Sequence, residues 1–225
     1  MKKLLKIKRQ NAPDGLPFWE DYEYEIQQES DTVATALFTL PVVWEKSCLQ
    51  KKCGACAMVV NGKPVLACDT VLSHIKSDTV VIEPLRKFPV VKDLMVDRES
   101  MMRKLKELEV WLRQDAEPVE EEMAFEASKC LQCGLCLEIC PNYYPDGTFG
   151  GMAGMAPMAR LLAKAGEDDR KEIGRNYQKG IYEGCGKSLA CRKICPAGMD
   201  MDHLLIKSNA IAVWKHFRKR KNGKK

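Results

Sequence analysis

No apolar run in this chain of 225 residues reaches the ~18 that a membrane-spanning helix needs, so nothing in it crosses a bilayer by itself. The start, MKKLLKIKRQ, is charged like the first segment of a signal peptide but lacks a continuous apolar stretch. Its apolar residues alternate with lysines, the pattern of a strand. The expectation is a mature N-terminus and the reducing cytosol. Histidine is scarce: His74, His203 and His216 are the only three. They fall outside the cysteine spacings and read as structural or exposed. No proton-transfer constellation stands out, and no catalytic residue is assigned. Aromatic residues are 7% of the chain and are not interleaved with its basic C-terminal end, which argues against a nucleic-acid-binding protein.

What is abundant is cysteine. Eleven cysteines in a reducing compartment do not suggest disulfides. The number is odd and the residues sit in tight groups, which points to metal ligation. The net charge of +5 is uneven: the last eleven residues, KHFRKRKNGKK, hold seven Lys or Arg and no acid. Such a tail can meet anionic lipid, an acidic partner or solvent.

Length and a hydrophobic content of 45% suit two modest globular domains. The first reads as β-rich. LLKIKR and DYEYEIQ are candidate strands on either side of a Pro/Gly turn, and SDTVATALFTL is a helix capped by Ser30 or Asp31. CAMVVNGKPVLAC is a hairpin turning at Asn61-Gly62, and TVVIEP is a further strand. After about residue 97 the character becomes helical. Met101, Leu105, Leu108 and Leu112 form an amphipathic stripe, with the methionines and Trp111 expected in the core. EEEMAFEASKC is a helix delivering Cys130. Short helices then alternate with Gly/Pro loops such as PDGTFGGMAGMAP, and a last helix runs from about Asp202 to Phe217. The predicted architecture is α+β. Residues 1–97 form a β-rich domain and residues 98–225 an all-α domain.

Cys48, Cys53, Cys56 and Cys68 are spaced C-x4-C-x2-C-x11-C, the plant-type 2Fe–2S pattern. Three thiolates on one loop wrap the two-iron rhomb, and the hairpin returns Cys68 to the fourth corner. Gly54 and Ala55 lack bulk, so backbone N–H groups can approach the sulfurs. Lys51 and Lys52 would raise the potential if they faced the cluster; solvation is the other reading. A zinc site fits less well, because such sites usually pair two C-x2-C knuckles.

Cys130, Cys133, Cys136 and Cys140-Pro141 form the bacterial two-cluster run, whose fourth cysteine serves the other cluster. The run is echoed 55 residues later by Cys185, Cys191 and Cys195-Pro196, with Ser188 where Cys133 has its counterpart. Carrying the crossing through the repeat gives a 4Fe–4S cluster on Cys130, Cys133, Cys136 and Cys195. The other cluster has only Cys140, Cys185 and Cys191. An alcohol is a harder and far more basic ligand than a thiol, so the corner at Ser188 holds iron weakly and 3Fe–4S is expected. Two alternatives stay open: Ser188 ligates a fourth iron, or that iron carries water and binds substrate.

These motifs resemble the iron–sulfur subunit of the succinate dehydrogenase/fumarate reductase family over nearly the whole chain, which implies an α+β architecture: an N-terminal β-grasp plant-type 2Fe–2S ferredoxin domain over residues 1–97 followed by an all-α two-cluster ferredoxin-like domain over residues 98–225. SCLQKKCGACAMVVNGKPVLAC is similar to its 2Fe–2S loop, VVKDLMVD to its domain joint, and CLQCGLCLEICPNYYP with CRKICPAGMDM to its ferredoxin-like half. The resemblance implies a complex in which a flavoprotein subunit interconverts succinate and fumarate at FAD. This chain would relay single electrons through 2Fe–2S, 4Fe–4S and 3Fe–4S to a quinone at a membrane anchor, while holding no substrate site. It would lie peripherally on the cytoplasmic side of the membrane, its basic tail near lipid or an anchor loop. Departures are visible. LQKK follows Cys48 where Arg and Gly are frequent, Gly186 stands where some members have His, and Tyr143 and Tyr144 occupy a segment where they have Trp. The pattern leans toward a fumarate reductase of an anaerobe with menaquinone. The alternative is a soluble relay for a related flavoprotein reductase with a non-quinone donor.

Overall fold

Alternation in the N-terminal segment decides which face of the first sheet is buried. In β1 (Lys2–Arg9) the side chains of Leu5 and Ile7 are fully buried, while Leu4, just before them, is exposed. Burial of each such side chain contributes roughly 1.5–3 kcal/mol. Lys3 shares the inward face and is buried too. Its ammonium is satisfied by the carbonyls of Ile75 and Ser77, both at 2.8 Å.

The computed structural model describes residues 1–111 and 120–214. By internal contacts the chain divides into two compact units, Met1–Arg98 with Leu131–Glu138, and Glu99–Cys130 with Ile139–Lys225. Among the described residues no helix is long and apolar enough to cross a membrane.

The first unit is a β-grasp. β2 (Phe18–Glu25) pairs antiparallel with β1, and β5 (Thr79–Glu83) pairs with β1 in parallel, Ile7 facing Ile82. β3 (Ala57–Val60) and β4 (Lys63–Leu66) complete the five-stranded order β2-β1-β5-β3-β4. Asn61 and Gly62 have φ of +48° and +76°, the left-handed pair that a two-residue hairpin turn requires. Helix α1 (Val33–Phe38) packs Val33, Ala36 and Leu37 into the core. Its cap is neither Ser30 nor Asp31 but Thr32, which exchanges hydrogen bonds with Thr35, each 3.2 Å. Asp31 is occupied elsewhere. It accepts N–H from Gln27 (2.8 Å) and Gln28 (3.3 Å) and the hydroxyl of buried Tyr24 (2.9 Å). Those bonds, Gln27 first, hold its carboxyl below its ordinary value, and burial foremost pushes Tyr24 up to about 12.

The segment resembling a domain joint is a small hairpin, β6 (Val90–Lys92) and β7 (Met95–Val96). Asp93 at its turn is fully buried. It accepts Arg9 Nε (3.1 Å), Arg9 Nη2 (3.0 Å) and the Val43 N–H (2.9 Å), tying hairpin, β1 and loop together.

The second unit is helical, with α2 (Glu99–Glu107), α3 (Glu121–Ser128), α5 (Gly151–Lys164), α6 (Glu167–Tyr177), α7 (Ala190–Ile194) and α8 (Met201–Asn209). The short α4 (Leu135–Ile139) follows Cys133. π-helical turns extend α6 over Gln178–Tyr182 and α8 over Ala210–Trp214. The last helix thus starts where expected; its predicted end at Phe217, the basic tail and His216 lie outside the described residues.

Two expectations fail here. The stretch read as a Gly/Pro loop contributes GMAGMAP to α5, which is buried along almost its whole length and contains Pro157. Its small residues are what permit this: a Cβ on Gly154 would stand 2.8 Å from Leu108 Cδ1. Tertiary burial outweighs the intrinsic cost of glycine in a helix, roughly 1 kcal/mol. In α2 and just beyond, the buried stripe is Met101, Lys104 and Leu108, whereas Met102 and Trp111 are about half exposed; Leu112 is outside the described residues. Lys104 reaches the Gly147 carbonyl, with its ammonium 5.8 Å from the ring centre of buried Tyr143.

Candidate iron–sulfur centres

The loop from Cys48 to Cys56 wraps because three of its residues, Leu49, Lys51 and Gly54, take left-handed φ of +54°, +59° and +74°. Repeated reversals of this kind turn successive N–H groups inward. The Cys48 sulfur accepts the N–H groups of Gln50 and Lys52, both at 3.4 Å. Those bonds, Gln50 first, and the neighbouring Cys53 thiol pull Cys48 down to about 7, below the ordinary thiol value. Cys56 behaves oppositely. Burial drives it up to about 12, with Cys68 and Cys53 beside it. The hairpin brings Cys68 back as expected: it sits on the 3₁₀ turn Ala67–Asp69, and Ala67 N–H bonds the Cys56 carbonyl at 3.0 Å. Lys51 turns to Asp69 in an ion pair of 2.7 Å, clasping the loop to the Cys68 turn. Lys52 acts through its backbone.

All eleven cysteines are free thiols. Among the described residues no three His, Cys, Asp or Glu side chains close to single-ion spacing. A two-iron rhomb is larger than one ion and carries its thiolates in pairs on two irons. The donor set fits that group: four soft sulfurs on one loop and one returning hairpin, with N–H groups already aimed at a sulfur.

The remaining cysteines fall in both units. Cys133 and Cys136 belong to the first, and Cys130, Cys140, Cys185, Cys191 and Cys195 to the second. Cys130 follows α3 by two residues, where Glu126 works on both sides of it. One carboxylate oxygen takes Lys129 Nζ at 2.5 Å; the other takes the Asp200 N–H, five residues past Cys195, at 2.7 Å. Cys140, Cys185 and Cys191 are brought together. Burial foremost, then the adjacent Cys140 and Cys185 sulfurs, raise the Cys191 thiol to about 11. A side-chain clasp that the sequence reading missed holds them: Asn142, two residues after Cys140, donates to the Gly184 carbonyl at 2.8 Å. A Cβ on Gly186 would stand 2.8 Å from that same amide. No sequence pattern marks Asn142 or Glu126.

The 55-residue echo extends to the backbone. Gln132 and Gly134 flank Cys133 with φ of +52° and +83°. Lys187 and Leu189 flank Ser188 with +56° and +55°. Leucine and lysine gain nothing from that conformation, which costs about 1–2 kcal/mol per residue. Ser188 therefore occupies the same kind of loop apex as Cys133, and its side chain is exposed.

Residues 4–103 match the family model of the 2Fe–2S iron–sulfur cluster binding domain, and residues 126–199 that of the 4Fe–4S dicluster domain. The succinate dehydrogenase iron–sulfur subunit of Bacillus subtilis is 31% identical over 219 residues, covering 87% of this chain and 86% of that protein. The fumarate reductase iron–sulfur subunit of Mycobacterium tuberculosis is 35% identical over 179 residues, covering 72% and 70%. A chain of the Mycobacterium smegmatis Sdh1 complex in the apo form shares the fold, with a TM-score of 0.78 at 22% identity over 96% of this chain and 97% of that one.

Proposed function

Because the chain belongs to the iron–sulfur subunits of the succinate dehydrogenase/fumarate reductase family, we propose that it passes electrons one at a time between a flavoprotein subunit bearing FAD and a quinone, with menaquinone favoured, at a membrane anchor. It is an electron-relay subunit of an oxidoreductase complex and carries 2Fe–2S and 4Fe–4S clusters. The finer assignment is ours. Cys48, Cys53, Cys56 and Cys68 hold the 2Fe–2S cluster, Cys130, Cys133, Cys136 and Cys195 the 4Fe–4S cluster, and Cys140, Cys185 and Cys191 a 3Fe–4S cluster open at Ser188. The domains follow as residues 1–97 and 98–225, and the chain sits peripherally on the cytoplasmic side of the membrane.

The observation that carries this reading is the grouping of eleven free thiols into four, four and three, with serine at the one vacant position of the repeat. When bound, the clusters supply one-electron carriers of graded potential. The chain's own residues tune and exclude. Gln50 and Lys52 N–H groups stabilise negative charge on the Cys48 sulfur, and the Lys51–Asp69 pair closes the loop. Around Cys191, burial favours a less charged centre.

Co-purification of the complex followed by potentiometric EPR tests the proposal. The expected result is three centres with the spectra of 2Fe–2S, 4Fe–4S and 3Fe–4S, and co-migration with a flavoprotein and an anchor. A preparation holding only zinc, or two complete cubes, would refute the ligand assignment. A functional complex with no anchor and no quinone reactivity would replace the membrane reading with that of a soluble relay.

A further inference from the structure

Within the first unit, the loop that carries Cys48, Cys53 and Cys56 comes up against Cys133. Gly54 lies against Cys133. A Cβ built on Gly54 would stand 2.8 Å from Cys133 Cα, 3.4 Å from its N and closest of all to its Cβ, where ordinary contact runs 3.4–4 Å. These neighbours are backbone and the root of a buried side chain, so they cannot swing aside.

Both sides of the contact are held. The Ala55 carbonyl, next to Gly54, accepts Arg98 Nη2 at 3.0 Å, and Arg98 is itself paired with Glu45 at 3.0 Å. Across from it, Glu138 accepts the Lys87 N–H at 3.0 Å. Gly134, beside Cys133, sits so close to Phe88 that a Cβ there would be 3.3 Å from the ring. Gly62 makes the comparison clear. It has nearly the same φ, +76° against +74°, yet nothing lies within 4 Å of its notional Cβ. At Gly62 glycine serves a turn; at Gly54 it serves a turn and a close approach.

We propose that Gly54 is the positioning residue for electron transfer between the first and second clusters, the electron crossing where its peptide meets the Cys133 backbone. This rests on the ligand assignment above, with Cys53 and Cys56 on the 2Fe–2S cluster and Cys133 on the 4Fe–4S cluster. One electron leaves the first and one enters the second; no bond forms or breaks and no proton moves. Any side chain at residue 54 separates the two loops and widens that gap.

The test uses the Gly54→Ala chain in its native complex, with Gly62→Ala as the control for left-handed strain alone. Two quantities are read: the rate of electron equilibration between the two clusters by freeze-quench EPR, and the broadening of the reduced 2Fe–2S signal when the second cluster is also reduced. In complexes that carry both clusters, Gly54→Ala is expected to slow equilibration several-fold, beyond what any measured shift in the first cluster's midpoint potential accounts for, and to weaken the broadening. Gly62→Ala is expected to match the wild type in both. Wild-type transfer in a fully loaded Gly54→Ala complex, or equal slowing in Gly62→Ala, overturns the proposal. If Gly54→Ala does not assemble, the wild type decides: absence of mutual broadening overturns the contact, and its presence upholds it. A wild type lacking the 4Fe–4S spectrum fails at iron analysis, before any rate is measured, and sinks the ligand assignment instead.

Discussion

Replacing Asp93 with alanine removes the acceptor at which three parts of the first unit meet. The carboxylate is fully buried and receives two guanidinium N–H groups of Arg9 and one backbone N–H of Val43. Breaking a buried pair by deleting one partner costs about 3–5 kcal/mol, because the other charge is left behind. Arg9 would keep Glu20 at 2.6 Å and the Pro41 carbonyl at 2.9 Å, so the low end, about 3 kcal/mol, is expected. For a chain of this size each kcal/mol lowers Tm by roughly 2–4 °C, so the loss is roughly 6–12 °C. The pH dependence gives a second reading. Burial works to raise the Asp93 carboxyl, but Arg9 and the Val43 N–H outweigh it and hold the group below its ordinary value. A carboxylate depressed in the folded state contributes stability that is present above its unfolded pKa of about 3.9 and is lost as pH falls through the lower folded value. The acid limb of a Tm-versus-pH curve should therefore flatten in Asp93→Asn, which keeps an acceptor for Val43 but not the charge. Scanning calorimetry of the loaded wild type and both variants measures this. An Asp93→Ala Tm within about 1 °C of wild type, far inside the predicted range, would show that the network does not hold the unit together.

Three further outcomes follow from particular contacts. Ser188→Cys should add one iron per chain and remove the signal of the oxidised 3Fe–4S cluster, since the loop already has the backbone of its Cys133 counterpart; unchanged metal content would show that the apex does not face a cluster corner. Thr32→Ala should cost about 1 kcal/mol in denaturant titration, the usual loss for a threonine N-cap, while Ser30→Ala should be silent. Glu126→Ala releases both the Lys129 ammonium and the Asp200 N–H, so the 4Fe–4S signal should be lost or become heterogeneous while 2Fe–2S persists; equal loss of both signals would indicate general unfolding.

Much of this molecule is legible in local chemistry. Strand alternation in LLKIKR, the Asn61-Gly62 turn and the spacing of every cysteine are short-range patterns, and each acts through its own few residues. The chain's length along such a pattern determines reach, so four sulfurs on a loop and a hairpin specify a two-iron site before any packing is known. What failed to read out was decided across the fold. GMAGMAP carries the residues of a loop, yet becomes helix because Leu108 and Ile181 close over Gly154. Asp31 has the chemistry of a cap, but a buried tyrosine and the two amides of the preceding turn claim it first. Lys104 joins Met101 and Leu108 on the buried face because a carbonyl and an aromatic ring wait there, while Met102 falls on the other side of the helix and Trp111 beyond its end.

Composition and spacing by themselves determined how the cysteines group and the one place where the repeat lacks a sulfur, because those are properties of the chain's own order. Only the tertiary structure decided which glycine lies against Cys133, which amides face Cys48, and which carboxylate is buried beside Arg9. Those choices are made between segments far apart in the chain, where the energy of close contact depends on neighbours that no local pattern names.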